Sequence, residues 1–116
     1  MCNRFVVQEH TTPDGVHWDL MLEKDGVLTT FRLDQPPETA STGTVQATKI
    51  FDHPLRFLTY EGPVQKGTGR VRIVEHGTCD LSEEANALVL ELRGEVLRGS
   101  FTLTPVEGTS WQLAPK

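Results

Sequence analysis

The tripeptide Lys24-Asp25-Gly26 separates two alternating segments, Val16 to Glu23 and Val27 to Leu33. An Asp-Gly pair in that setting is a strong signal for a β-hairpin, because the tight turn that matches strand twist needs positive φ at its central residues. The segments should therefore pair, and pairing fixes a two-residue period. Trp18, Leu20 and Leu22 fall on one strand face, and His17, Asp19 and Met21 on the other.

The remaining chain supplies more strands. Valine outnumbers alanine and threonine is abundant, a β-branched bias that suits pleated, half-buried surfaces. Phe5 to Glu9 reads as a first strand, Val45 to Asp52 as one stopped by Pro54, Leu55 to Tyr60 as its continuation, and Arg70 to Glu75 as another. Ala87 to Arg93 sets Leu88, Leu90 and Leu92 on one face; Phe101 with Leu103, then Ser110 to Leu113, complete a terminal meander. Asp34 to Thr44 reads as an exposed loop, and Asp80 to Ala87 is the only stretch with helix-start character. Roughly seven to nine short strands predict an all-β chain, a small barrel or sandwich with little helix.

A chain of 116 residues, 37% hydrophobic, fits one domain spanning residues 1–116. No apolar run reaches membrane-spanning length, which predicts no membrane role. The residues after Met1 lack a secretory signal, so the expected location is cytoplasmic. Cys2 and Cys79 have no metal-type spacing and are expected to be free thiols. A net charge of −5 opposes general duplex binding, and the basic run Lys66, Arg70 and Arg72 reads as a solvated strand face.

The chemistry-bearing residues gather at strand ends. His10 ends the first strand, Thr11-Thr12-Pro13-Asp14-Gly15 has turn composition, and His17 opens the next strand, so pairing brings both imidazoles to one sheet end. Asp19 shares a face with His17. Two imidazoles and a carboxylate form a set that manganese, iron and zinc all accept; the same residues also suit a merely polar strand face. His53, between Asp52 and Pro54, lies where side chains commonly line a cleft, whereas His76 has no such company. His17-Trp18-Asp19 followed by a later histidine also resembles the iron-binding triad of cupin-like oxygenases, although the chain offers no suitably placed basic residue shortly after His53 for an oxoglutarate site.

The chain resembles the 3′-phosphoesterase domain of bacterial DNA ligase D. The matching pieces run in order: Arg4-Phe5-Val6-Val7-Gln8-Glu9-His10, His17-Trp18-Asp19-Leu20-Met21-Leu22-Glu23, Asp25-Gly26-Val27-Leu28 and Asp52-His53-Pro54-Leu55. Tyr60-Glu61-Gly62, Gly77-Thr78, Leu92-Arg93-Gly94-Glu95, Leu97-Arg98-Gly99 and Trp111 extend them. The resemblance implies a compact β-barrel that heals 3′ ends at DNA breaks, removing a terminal ribonucleoside and then the 3′-phosphate with manganese or a similar ion such as zinc. It further implies that His10, His17 and Asp19 hold the metal, that His53 faces the scissile phosphate, and that the four together are catalytic. A repair ligase or polymerase acting in trans is the partner it implies.

Several positions depart from the family pattern. Met21 and Val45 stand where arginines are expected, Phe57 replaces a tyrosine, Gln35 replaces a lysine, and the interval between the first two histidines is one residue longer. These changes thin the phosphate clamp. Arg32, Lys49 and Arg56 are the candidates to compensate, Lys49 because it shares strand parity with His53. Two functions from different classes follow: a metal-dependent 3′-end phosphoesterase with its cleft at one end of the barrel, and an inactive module that keeps the fold and serves in binding.

Overall fold

A computed structural model describes residues 2–64 and 69–116. Nine antiparallel strands are present among them: β1 (Arg4–Thr12), β2 (Gly15–Lys24), β3 (Val27–Leu33), β4 (Val45–His53), β5 (Gly62–Val64), β6 (Gly69–Glu84), β7 (Ala87–Arg93), β8 (Arg98–Glu107) and β9 (Ser110–Pro115). Their order is β1-β2-β3-β4-β9-β8-β7-β6-β5, and a further β1–β6 pairing closes eight of them into a barrel. Closure removes the exposed edges that an open sheet would present. The long strand β6 makes it possible, since Arg70 to Thr78 pair with β1 and Thr78 to Glu84 with β7.

The first hairpins form as the turn chemistry requires. Lys24 faces Val27 across a two-residue turn in which Asp25 and Gly26 have φ of 54° and 82°. Period two then sorts the residues. Phe5, Val7, Leu20, Leu22, Phe31 and Leu33 point into the barrel, where they join Leu90, Leu92, Leu103 and Leu113 in one buried cluster. Burying each large apolar side chain contributes about 1.5–3 kcal/mol relative to leaving it exposed.

A second, smaller apolar layer lies outside the barrel wall. Val6, Met21 and Leu28 face outward and are covered by Leu55, Phe57 and Leu58. Here the chain departs from the strand expected over Leu55 to Tyr60: Pro54 starts a short 3₁₀ turn, Leu55–Leu58, that folds back over the sheet. Gln8, buried in the wall, donates its amide to the carbonyls of Phe57 (2.9 Å) and Tyr60 (3.0 Å) and so ties this flap down.

Three other expectations need correction. Asp80 to Ala87 is no helix, because Asp80 to Glu84 continue β6 opposite β7, and Ala85-Asn86 turn the chain. The loop over Asp34 to Thr44 contains a short 3₁₀ segment, Pro37–Ser41, anchored by buried Pro37 and Ala40. Cys2 and Cys79 are not free thiols: β1 pairing against β6 places their Cα atoms 5.4 Å apart, and they form a disulfide on the edge of the core. Sequence spacing hid this contact, which depends on the barrel closing.

Candidate active site

The outward-facing residues of β1 to β4 form the floor of a pocket of about 500 Å³, and the flap around Phe57 and Tyr60 forms its far wall. The cleft thus opens on the outer face of the barrel wall, toward its β1–β2 turn, and not at an end of the barrel interior, which is filled with side chains.

His10 and His17 face each other in the β1–β2 register, and Gln8 faces Asp19. Consequently His10 Nδ1 lies 3.1 Å from His17 Nε2, which is 3.4 Å from Asp19 Oδ2, with His10 Nδ1 4.0 Å from the same oxygen. Donors each about 2.1 Å from one cation stand roughly 3 to 4 Å apart, so this spacing fits a shared divalent ion. The donor chemistry fits as well: two imidazole nitrogens and one carboxylate oxygen suit manganese, zinc or iron. Burial, with help from His17, Arg32 and His53, pushes His10 below its ordinary pKa against the pull of Asp19. Its ring is therefore held neutral, the form that binds metal.

Gly69 keeps this arrangement open. A Cβ at that position would fall 2.6 Å from His10 Nε2 and 2.8 Å from the Thr11 carbonyl oxygen. Strand β6 can lie against the His10 ring only because residue 69 has no side chain.

His53 enters from β4. Thr30, fully buried and opposite the site on β3, donates its single hydroxyl hydrogen to the Leu28 carbonyl at 2.9 Å and lies 2.8 Å from His53 Nδ1. With that hydrogen committed, Thr30 Oγ1 must accept from His53 Nδ1–H, which leaves Nε2 as the ring atom available to a ligand. Burial also pushes His53 below its ordinary pKa, offset in part by Asp19, the Phe51 backbone and Asp52.

The candidate phosphate contacts divide. Arg32 lines the pocket opposite Asp19 in register, with Nε 3.8 Å from Asp19 Oδ1; both atoms are buried and lack a hydrogen-bond partner among the described residues. Arg56 lines the outer wall with its guanidinium over the Phe57 ring. Lys49 lies elsewhere. Its ammonium donates to the Ile50 carbonyl, pairs with Asp52 and hovers over the core ring of Phe31. The parity argument fails because β4 has an irregularity between the Thr30–Ile50 and Leu28–His53 pairs, which puts Ile50 and not Lys49 on the side of His53.

The departures also separate by position. Met21 and Phe57 both line the pocket and pack in the outer apolar layer, so packing occupies the place of charge. Val45 faces the barrel interior and is 1% exposed, so no clamp residue could act from that register. Gln35 is exposed in the loop after β3. Within the basic run, Arg72 pairs with Glu9 on the surface and Lys66 lies outside the described residues.

Thr30, Gln8 and Gly69 are functional candidates that motif reading missed. Thr30 was within reach, since it lies across from Met21 and therefore on the same outer face as Asp19. Gln8, the one amide in an apolar strand and two residues before His10, carried a similar signal.

A family profile described as DNA Ligase D 3′-phosphoesterase domain matches residues 8–105. The chain belongs to this family. The span includes every residue of the site. The multifunctional non-homologous end joining protein LigD of Mycobacterium bovis is 31% identical over 118 residues, covering 94% of this chain and 15% of the relative. Its namesake in Mycolicibacterium smegmatis is 30% identical over 125 residues, covering 94% and 16% respectively. The chain thus spans a small fraction of the length of these relatives. Among the described residues no helix is long and apolar enough to cross a membrane.

Proposed function

We propose that this 3′-phosphoesterase family domain is a divalent-metal-dependent phosphoesterase acting on nucleic-acid 3′ ends in DNA repair. The observation that carries the reading is the convergence of His10, His17 and Asp19 beside His53 in one pocket. His10 Nδ1, His17 Nε2 and Asp19 Oδ2 would hold the ion, manganese first among the candidates. Such an ion supplies Lewis-acid polarisation of a phosphoryl oxygen and lowers the pKa of water.

The chain's own groups carry the remaining tasks. His53 Nε2, with its tautomer set by Thr30, is the group to exchange a proton with the phosphate or its leaving oxygen as water displaces the 3′-oxygen from phosphorus. Arg32, turned toward Asp19, orients the carboxylate and adds positive potential; Arg56 offers a second cation at the rim. The flap tied down by Gln8 fixes the wall that faces the metal set across the pocket. In the relatives the homologous stretch is part of a longer end-joining protein, so a ligase or polymerase that takes over the healed end is the expected partner, and the compartment is that of the DNA.

The apolar lining of Met21, Ile50 and Phe57 supports a second reading, an inactive module that binds metal and ends without turnover. A primer-template bearing a 3′-phosphate or a single 3′-ribonucleotide separates the two. Manganese-dependent shortening or dephosphorylation that is absent in His53→Ala supports the enzyme. End binding with no product at saturating manganese supports the module.

A further inference from the structure

Phe51 is 65% exposed, the most exposed large apolar residue of the described chain, yet it lies beside the pocket and not at a remote turn. The β4 irregularity explains how it gets there. Between the Thr30–Ile50 and Leu28–His53 pairs, β4 supplies two residues, Phe51 and Asp52, where β3 supplies only Thr29. An extra residue of this kind re-aims a side chain, and here Ile50, Phe51 and His53 all line the cavity.

Its ring is ordered by aromatic neighbours. Phe51 stacks on His53 with centroids 4.8 Å apart and planes 28° apart, and His53 in turn meets Phe57 at 5.3 Å. The folded chain gains little by leaving Phe51 in water, since burial of a phenylalanine is where its stabilisation comes from. A protein-docking face would need a broad contiguous apolar patch. The other exposed large apolar residues, Val16, Val27, Val96 and Val106, do not line this pocket. A flat ring already stacked on the histidine beside the metal set, open on its remaining surface, matches another flat ring.

We propose that Phe51 is a stacking platform for the terminal nucleobase of the substrate, extending the site from the phosphate to the base. The inference rests on the reading that the pocket receives a nucleic-acid 3′ end. Stacking is indifferent to base identity, so the platform gives affinity for any nucleotide terminus and discriminates against termini that lack a base. It also offsets the sparse cations of the pocket, because the affinity comes from π contact and not from phosphate charge.

The test uses the manganese-loaded protein and labelled duplexes with a single-nucleotide 3′-hydroxyl overhang, either base-bearing or abasic. Fluorescence anisotropy should show the base-bearing end bound about five- to hundred-fold more tightly. Phe51→Ala and Phe51→Leu should erase that preference while leaving abasic affinity and melting temperature unchanged, and Phe51→Trp should keep it. An equal affinity of the parent for both ends, or a preference that survives in Phe51→Leu, overturns the platform. Turnover of a base-bearing 3′-phosphate end is the separate check on the phosphoesterase reading: its absence in the parent removes that reading even where the base preference stands.

Discussion

The two faces of the β1–β3 wall are built from the same strands and do opposite work. Inward, Phe5, Val7, Leu20, Leu22, Phe31 and Leu33 form a dry core. Outward, the intervening residues include Gln8, His10, His17, Asp19, Thr30 and Arg32. Each polar residue is flanked along its strand by residues of the opposite face, so the core sets where every ligand atom lies. A register slip of a single residue would exchange the faces, moving the carboxylate into the apolar core and the leucines out of it. The site is therefore as rigid as the barrel, and the barrel's register is specified by the burial that the site does not need.

The sharpest way to break this comparison is to alter neighbours on opposite faces. Leu20→Ala should cost about 2–5 kcal/mol of stability through lost burial and a cavity. Asp19→Ala should leave a folded barrel but abolish both turnover and the rise in melting temperature that manganese produces, since a ligand stabilises the folded state only in proportion to its binding. His76→Ala, remote from the set, should retain that rise. Should Asp19→Ala respond to manganese, zinc and iron as the parent does, the three residues are only a polar strand face.

A smaller change probes how the second layer of the wall supports the first. Gly69→Ala places a Cβ against His10 Nε2 and the Thr11 carbonyl, and backbone does not yield easily. The ring must rotate or β6 must move, and either displaces His10 Nδ1. Metal affinity should fall about 10–100-fold, the range typical of disturbed support around a ligand, and the clash with the Thr11 backbone should cost about 1–3 kcal/mol of stability. Isothermal titration with manganese reads the change; affinity equal to the parent's would mean that β6 does not constrain His10.

How much of this was legible in the sequence follows from the range of the forces involved. The Asp25-Gly26 hairpin and the face shared by His17 and Asp19 are local, set by turn chemistry and a two-residue period, and they emerged directly. The Cys2–Cys79 disulfide and the Gly69 contact depend on β1 meeting β6, which no local pattern encodes. The outer apolar layer was missed because Leu55 to Leu58 looks strand-like until Met21 and Leu28 are known to face outward with nothing else to cover them. Lys49 was misplaced by one irregularity in β4, the same feature that exposes Phe51. Family likeness supplied the roles expected of the histidines, while the physical reason for Met21, its place in that outer layer, needed the packing.

Thr30→Val tests a nearly isosteric change in the outer face. It leaves His53 Nδ1–H without its acceptor, and an unpaired buried donor costs about 1–3 kcal/mol. The ring can then adopt the other tautomer, so kcat should fall about tenfold with KM little changed, and the acid limb of the pH profile should move. Thr30→Ser, which keeps the hydroxyl, should restore the parent profile. An unaltered profile in Thr30→Val would assign Thr30 to packing alone.

The smallest effect is also the one that separates the faces by pH. Among the described residues the apolar cluster of the inner face is built from non-titrating side chains, with Glu75 as a buried carboxylate at its margin, whereas His10 and His53 on the outer side both have folded pKa values pushed below the ordinary 6.5, burial being the main cause. Between the folded and unfolded values the unfolded chain binds more protons, so stability rises with pH there. The contribution of these histidines is fully present above about pH 6.5 and is lost as the pH falls through their lower folded values. The metal-free protein should thus show a modest drop in melting temperature as the pH falls below about 6.5, and manganese should lose its stabilising effect on further acidification because protons and metal compete for His10. His10→Asn combined with His53→Asn should flatten the metal-free curve. If melting temperature is constant or rises on that acidification, the outer histidines are not held neutral by burial, and the electrostatic half of the comparison fails.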